Sequence, residues 1–81
     1  MARVLLFGPL RDLAGWRERT LDPAPASLSA LRALLTAEDP ALGEALDGRG
    51  VQIAVDQALV RGDMLIGPGA EVAFLPPMSG G

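Results

Sequence analysis

Apolar and polar positions along the chain switch between runs, a helical spacing and a period of two. The run RVLLF at residues 3–7 is followed at once by Gly8 and Pro9, and a short apolar stretch bounded by turn residues predicts a buried strand. Pro9 suits the first position of a brief helical turn through Leu10, Leu13 and Ala14, which Gly15 stops. Residues 16–21 predict a second strand, pairing with the first as a hairpin with an unusually long connection. Residues 22–26, DPAPA, form a loop, and Ser27 is placed to cap the helix behind it. In that helix Leu28, Leu31, Leu34 and Leu35 recur at three- and four-residue spacing, which predicts one apolar stripe with Ser29 and Arg32 toward solvent. Asp39 and Pro40 repeat the cap-then-proline signature and start a second short helix through Leu42 and Leu46, ending near Gly48.

Beyond Gly50 the period returns to two. VQIAV at residues 51–55 predicts a strand, Asp56 and Gln57 a tight reversal, and ALV at residues 58–60 its partner. Gly62, Asp63 and the triplet Gly67, Pro68, Gly69 interrupt the chain before a last strand, EVAFL at residues 71–75, with Val72 and Phe74 on one face and Ala73 and Leu75 on the other. Two strands, a crossing helix and further strands predict an α+β two-layer domain, a mixed β-sheet packed on one main helix, for which a β-grasp arrangement is the natural candidate. No internal repeat, low-complexity tract or linker divides the chain, so residues 1–81 read as a single domain with a C-terminal tail over 76–81.

Composition narrows the chemistry. Eighty-one residues, 49% of them hydrophobic, suffice for one small core but not for a deep enclosed active site. Without cysteine or histidine there is no disulfide, thiol nucleophile, imidazole metal site or histidine-dependent triad. The ten carboxylates lie singly apart from Glu38 and Asp39, as solvated charges and caps do. A net charge of −3 and a pI near 4.6 disfavour nucleic acid and anionic membranes as partners and favour a basic protein surface. No apolar run approaches the ~18–20 residues of a membrane span, and the N-terminal residues lack a signal-peptide pattern, so a cytoplasmic protein is expected. All seven basic residues are arginine, which leaves no side-chain amine on this chain to capture an activated C-terminus.

The C-terminal segment, PPMSGG, carries the remaining signal. Pro76 and Pro77 cannot donate ladder hydrogen bonds, so they end the strand and give it a stiff exit. Extended, residues 76–81 reach roughly 20 Å at ~3.3–3.6 Å per residue, enough to enter a deep site on another protein. Pro76 and Pro77 are equally compatible with simple protection of a sheet edge. Gly80 and Gly81 lack Cβ atoms and suit a narrow channel. Ordering residues 78–81 costs on the order of 4–8 kcal/mol, which only a partner surface could offset. The carboxylate of Gly81 is then the group placed to be chemistry rather than scaffold.

With VLLF at residues 4–7, RDLAG at 11–15, VDQALV at 55–60 and GAEVAFLPPMSGG at 69–81, the sequence resembles the small, sulfur-carrying subunits of molybdopterin synthase along essentially its whole length. The related sulfur carriers of thiamin synthesis share the glycine pair but usually lack the prolines. The resemblance implies a ubiquitin-like β-grasp fold and a reaction cycle. An E1-like adenylating enzyme consumes ATP to activate the Gly81 carboxylate. A sulfur donor converts it to a thiocarboxylate, and the tail (Pro76, Pro77, Met78, Ser79, Gly80) inserts into the large synthase subunit. Sulfur passes there to a cyclic pyranopterin precursor, and two transfers build the dithiolene, implying a heterotetramer. The chain itself is expected to bind no cofactor and no metal.

The resemblance also places Phe7, Arg11, Leu59 and Leu75 at positions that face protein partners; Leu75 departs from the aromatic residue often found there. On sequence alone Phe7 and Leu59 fit a core equally well, and Arg11 fits a plain solvated surface. Two other functions stay open: a ubiquitin-like modifier joined through Gly81 to lysines of other proteins, and a sulfur carrier for another pathway such as thiamin synthesis.

Overall fold

Strand β1 (Ala2–Leu6) is followed by α1 (Pro9–Ala14), β2 (Glu18–Leu21), α2 (Leu28–Glu38), α3 (Pro40–Leu46), β3 (Gln52–Val55), β4 (Ala58–Val60) and β5 (Glu71–Leu75) in a computed structural model that describes residues 1–77. The strands form one mixed sheet in the order β2-β1-β5-β3-β4. β1 is antiparallel to β2 and parallel to β5, and β3 is antiparallel to both β5 and β4. The last strand therefore lies at the centre of the sheet, beside the first, as the expected β-grasp requires.

Alternation along the strands decides what is buried. Val4 and Leu6 of β1, Val72 and Phe74 of β5 and Val55 of β3 enter one core with Leu28, Leu31 and Leu35 of α2 and with Leu42 and Leu46 of α3. Among the described residues no polar or charged side chain is buried. The helices begin where the caps were expected. The Ser27 hydroxyl accepts from the Ala30 amide at 3.1 Å, and the Asp39 carboxylate accepts from the Leu42 amide at 3.2 Å.

Three expectations need correction. Leu34 does not share the buried stripe: it is 37% exposed. At ~100° per residue it lies about 60° from Leu31, beside the edge strand β2 and the loop at residues 22–25 rather than over the centre of the sheet. Phe7 lies outside β1, because its carbonyl accepts from the Leu10 amide at 3.2 Å and so opens α1 instead of continuing the ladder. Trp16 and Arg17 precede β2; the Trp16 ring packs against the core and carries the Arg19 guanidinium 5.3 Å from its centroid.

Asp63 has a structural role the sequence did not announce. Its carboxylate accepts from the Ser29 amide at 2.9 Å, the Ser29 hydroxyl at 2.8 Å and the Met64 amide at 2.9 Å, tying the loop after β4 to the first turn of α2. The Ser29 backbone bond, then the Ser29 hydroxyl, hold this carboxyl below its ordinary value; the Met64 amide and the Arg32 charge act in the same direction.

Candidate functional site

The tail leaves from the middle of the sheet. β5 ends at Leu75, and Pro76 and Pro77, having no amide hydrogen, cannot extend its ladders to β1 and β3. In register, Leu6 pairs with Phe74 on one side and Gln52 with Leu75 on the other. Two residues further along β1 comes Gly8, and two residues before Gln52 comes Gly50; these stand against Pro76 and Pro77 respectively. Met78, Ser79, Gly80 and Gly81 lie outside the described residues.

The helices cover one face of the sheet, and the other face is open. Cross-strand partners share a face, so Leu5, Ala73, Ala54 and Leu59 form one row across β1, β5, β3 and β4. None belongs to the helix-side core cluster. The row ends in Leu59, 62% exposed, about 14 Å from Leu5 at ~4.8 Å per strand. Leu75, two residues beyond Ala73, continues the apolar character toward the tail on the same face. Phe7, 44% exposed, follows β1 two residues beyond Leu5. At the opposite end of β1 and β5 the open face turns polar: Arg3 bridges Glu18 at 3.1 Å and Glu71 at 3.3 Å.

Phe7 and Leu59 are therefore surface residues, although either could have filled the core. Arg11 stands on α1, one turn after Gly8, exposed and 3.7 Å from the Asp12 carboxylate. It shares the tail-proximal end of the molecule with Phe7, but it is not part of the apolar row. The sequence reading missed Gly8 and Gly50, whose contacts with the prolines appear only once strand register is known. It also missed Leu5, Ala54 and Ala73, which complete the row; the period-two alternation of β1, β3 and β5 was the available signal.

A groove of about 650 Å³ runs between α2, the end of α3 and the β3–β4 hairpin; in it Arg32 meets Asp47 at 2.6 Å, Asp63 accepts from Ser29 of α2, and Arg61 lines the rim. Among the described residues no group of three or more acidic side chains could hold a metal ion, and no helix is long and apolar enough to cross a membrane.

A five-stranded mixed sheet over one main helix, with a proline exit from its central strand and an apolar open face beside that exit, defines a ubiquitin-like β-grasp module. A solved structure of SAMP1 from Haloferax volcanii shares this fold, with a TM-score of 0.82 and 25% sequence identity over 99% of this chain and 98% of that one. The chain belongs to the ThiS family, whose model matches residues 4–81. It is 35% identical to the molybdopterin synthase sulfur carrier subunit of Escherichia coli (strain K12) and 31% identical to that of Haemophilus influenzae, each over the full length of both chains.

Proposed function

We propose that this chain is the sulfur carrier subunit of a molybdopterin synthase. The full-length likeness to two such subunits carries the proposal, together with this chain's own proline pair and terminal glycines. The Gly81 carboxylate attacks the α-phosphate of ATP on an E1-like adenylating enzyme, releasing pyrophosphate and forming an acyl adenylate. A sulfur donor displaces AMP and leaves a thiocarboxylate, which is ionised at neutral pH and nucleophilic through a polarisable sulfur. The tail delivers that sulfur to a cyclic pyranopterin precursor in the large subunit, which supplies the pterin site and the acid-base groups. This chain contributes position, and its lack of histidine and cysteine is no obstacle.

The open face supports the same reading. Exposed Leu59 and Phe7 and half-buried Leu75 offer apolar side chains beside the tail exit, around a row whose middle members Ala54 and Ala73 are buried, and a large subunit would dock there while the tail enters its site. The test is intact-mass spectrometry of the chain after incubation with a competent activating enzyme, ATP and a sulfur source. The expected product carries one oxygen-to-sulfur exchange at Gly81, and a chain lacking Gly81 gains none. An unmodified wild-type chain under those conditions refutes the proposal.

Conjugation to other proteins is a second reading, favoured by the Lys-free sequence, which cannot self-conjugate through a side chain. Its signature is a glycine-glycine remnant on lysines of proteins recovered with this chain.

A further inference from the structure

The two prolines that open the tail occupy space left by two glycines. Gly8 has φ 57 and ψ −134, and a Cβ there would stand 3.1 Å from Cγ of Pro76. Gly50 has φ 86, and its Cβ would stand 3.0 Å from Cβ and 3.3 Å from Cγ of Pro77. Carbon atoms in comfortable contact are ~3.5–4.0 Å apart, so neither position has room for a side chain unless a proline moves. Register explains the match. Gly8 falls opposite Pro76 from the parallel strand β1, and Gly50 falls opposite Pro77 from the antiparallel strand β3, so the glycines flank the exit from opposite sides.

Backbone conformation alone does not account for this pairing. Gly15, Gly62 and Gly69 also have positive φ, at 82, 75 and 80, yet a Cβ on any of them would meet nothing within 4 Å. Among the described residues five glycines have positive φ, and of these Gly8 and Gly50 alone also make room for another segment.

We infer that Gly8 and Gly50 form a seat for Pro76 and Pro77 that sets the direction in which the chain leaves β5, and that both are positioning residues for the carboxyl group beyond. The positioning role rests on the carrier function proposed above, whereas the seat does not. Each proline fixes its own φ near −65°, so the placement of the two rings governs the heading at Pro77. Four more residues can reach up to ~14 Å beyond that point, and a small error at the rings grows along this lever.

The seat is tested first on the unmodified chain, by nuclear Overhauser contacts from the α-protons of Gly8 to the ring of Pro76 and from those of Gly50 to the ring of Pro77. The chain has no cysteine, so a nitroxide on Ser79→Cys labels one place, and its paramagnetic broadening map reports the heading of the tail. Gly8→Ala and Gly50→Ala should alter that map, whereas Gly62→Ala, with similar backbone strain in open space, should leave it unchanged. Missing contacts, or a map in both seat variants that matches Gly62→Ala, overturns the seat. The role is then read from chains given a thiocarboxylate chemically, through thiolysis of an intein fusion, and mixed with saturating large subunit. Sulfur transfer should slow on the order of tenfold to a hundredfold in the seat variants and remain unchanged in Gly62→Ala. Wild-type transfer rates in folded seat variants overturn the positioning role. A wild-type chain that donates no sulfur refutes the carrier function, and the positioning role with it, while the seat still stands or falls on the resonance data.

Discussion

Replacing Gly43 by alanine should destabilise the protein, although helix propensity argues the reverse. Gly43 lies inside α3, where alanine gains about 1 kcal/mol in intrinsic propensity. It is also buried where α3 crosses α2, and a Cβ there would stand 2.3 Å from Oγ1, 2.6 Å from Cγ2 and 2.7 Å from Cβ of Thr36. Rotating Thr36 could move its outer atoms, at the expense of the 2.7 Å bond its hydroxyl donates to the Arg32 carbonyl. Its Cβ is fixed to the α2 backbone, so the helices must part by roughly 1 Å to restore contact distance. Overpacking of this degree costs about 3 kcal/mol, the upper end of the usual range. The net loss is then about 2 kcal/mol after the propensity gain, a fall in Tm of roughly 8–16 °C for a domain of this size. Differential scanning calorimetry of Gly43→Ala reads it directly. A second variant, Thr36→Gly, should cost stability alone yet rescue Gly43→Ala, giving a favourable coupling in a double-mutant cycle. A Tm equal to or above that of the wild type, or additive effects in the cycle, would refute this account of the helix crossing.

Three further outcomes follow from the geometry. Leu59→Arg should fold with a Tm within a few degrees of wild type, since the residue is 62% exposed, but should weaken binding to the large subunit by about 2 kcal/mol, roughly 30-fold in Kd, if Leu59 anchors that contact; unchanged affinity by calorimetry removes it from the interface. Gln57→Gly should raise the unfolding free energy by about 0.5–1 kcal/mol, read as a slightly higher denaturation midpoint, because Asp56 and Gln57 hold φ 50 and 70 in the reversal between β3 and β4, where glycine lacks the penalty of a side chain; a lower midpoint contradicts the strain. Asp63 has a depressed folded value, so its stabilisation is complete above the ordinary carboxylate range and is lost as pH falls through that depressed value. Urea midpoints measured from about pH 6 to about pH 3 should therefore fall less in Asp63→Asn than in wild type, and equal slopes would show that its bonds to Ser29 and Met64 do not favour the ionised form.

Local signals in the sequence carried most of the architecture. The alternation around Val72 and Phe74, the caps Ser27 and Asp39 and the reversal at Asp56 and Gln57 each depend on neighbours within a few residues, and each appears where expected. What was illegible depends on distant partners. Leu34 has the right spacing for the stripe, and only the limited reach of β2 leaves it at the margin. Phe7 continues an apolar run, but its carbonyl serves α1. The close contacts of Gly8, Gly43 and Gly50 with Pro76, Thr36 and Pro77 exist only after strands and helices have been set in register. The candidate site divides in the same way: the prolines stand out in the chain, whereas the row from Leu5 to Leu59 requires four strands to be aligned.

The place of β5 between β1 and β3 has a mechanical consequence. A pull on the tail loads β5 along its own axis. The ladders on both sides then resist in shear and must yield together, whereas an edge strand would unzip one bond at a time. A module held by its end, as the proposed carrier function requires, can thus be tugged without being peeled apart.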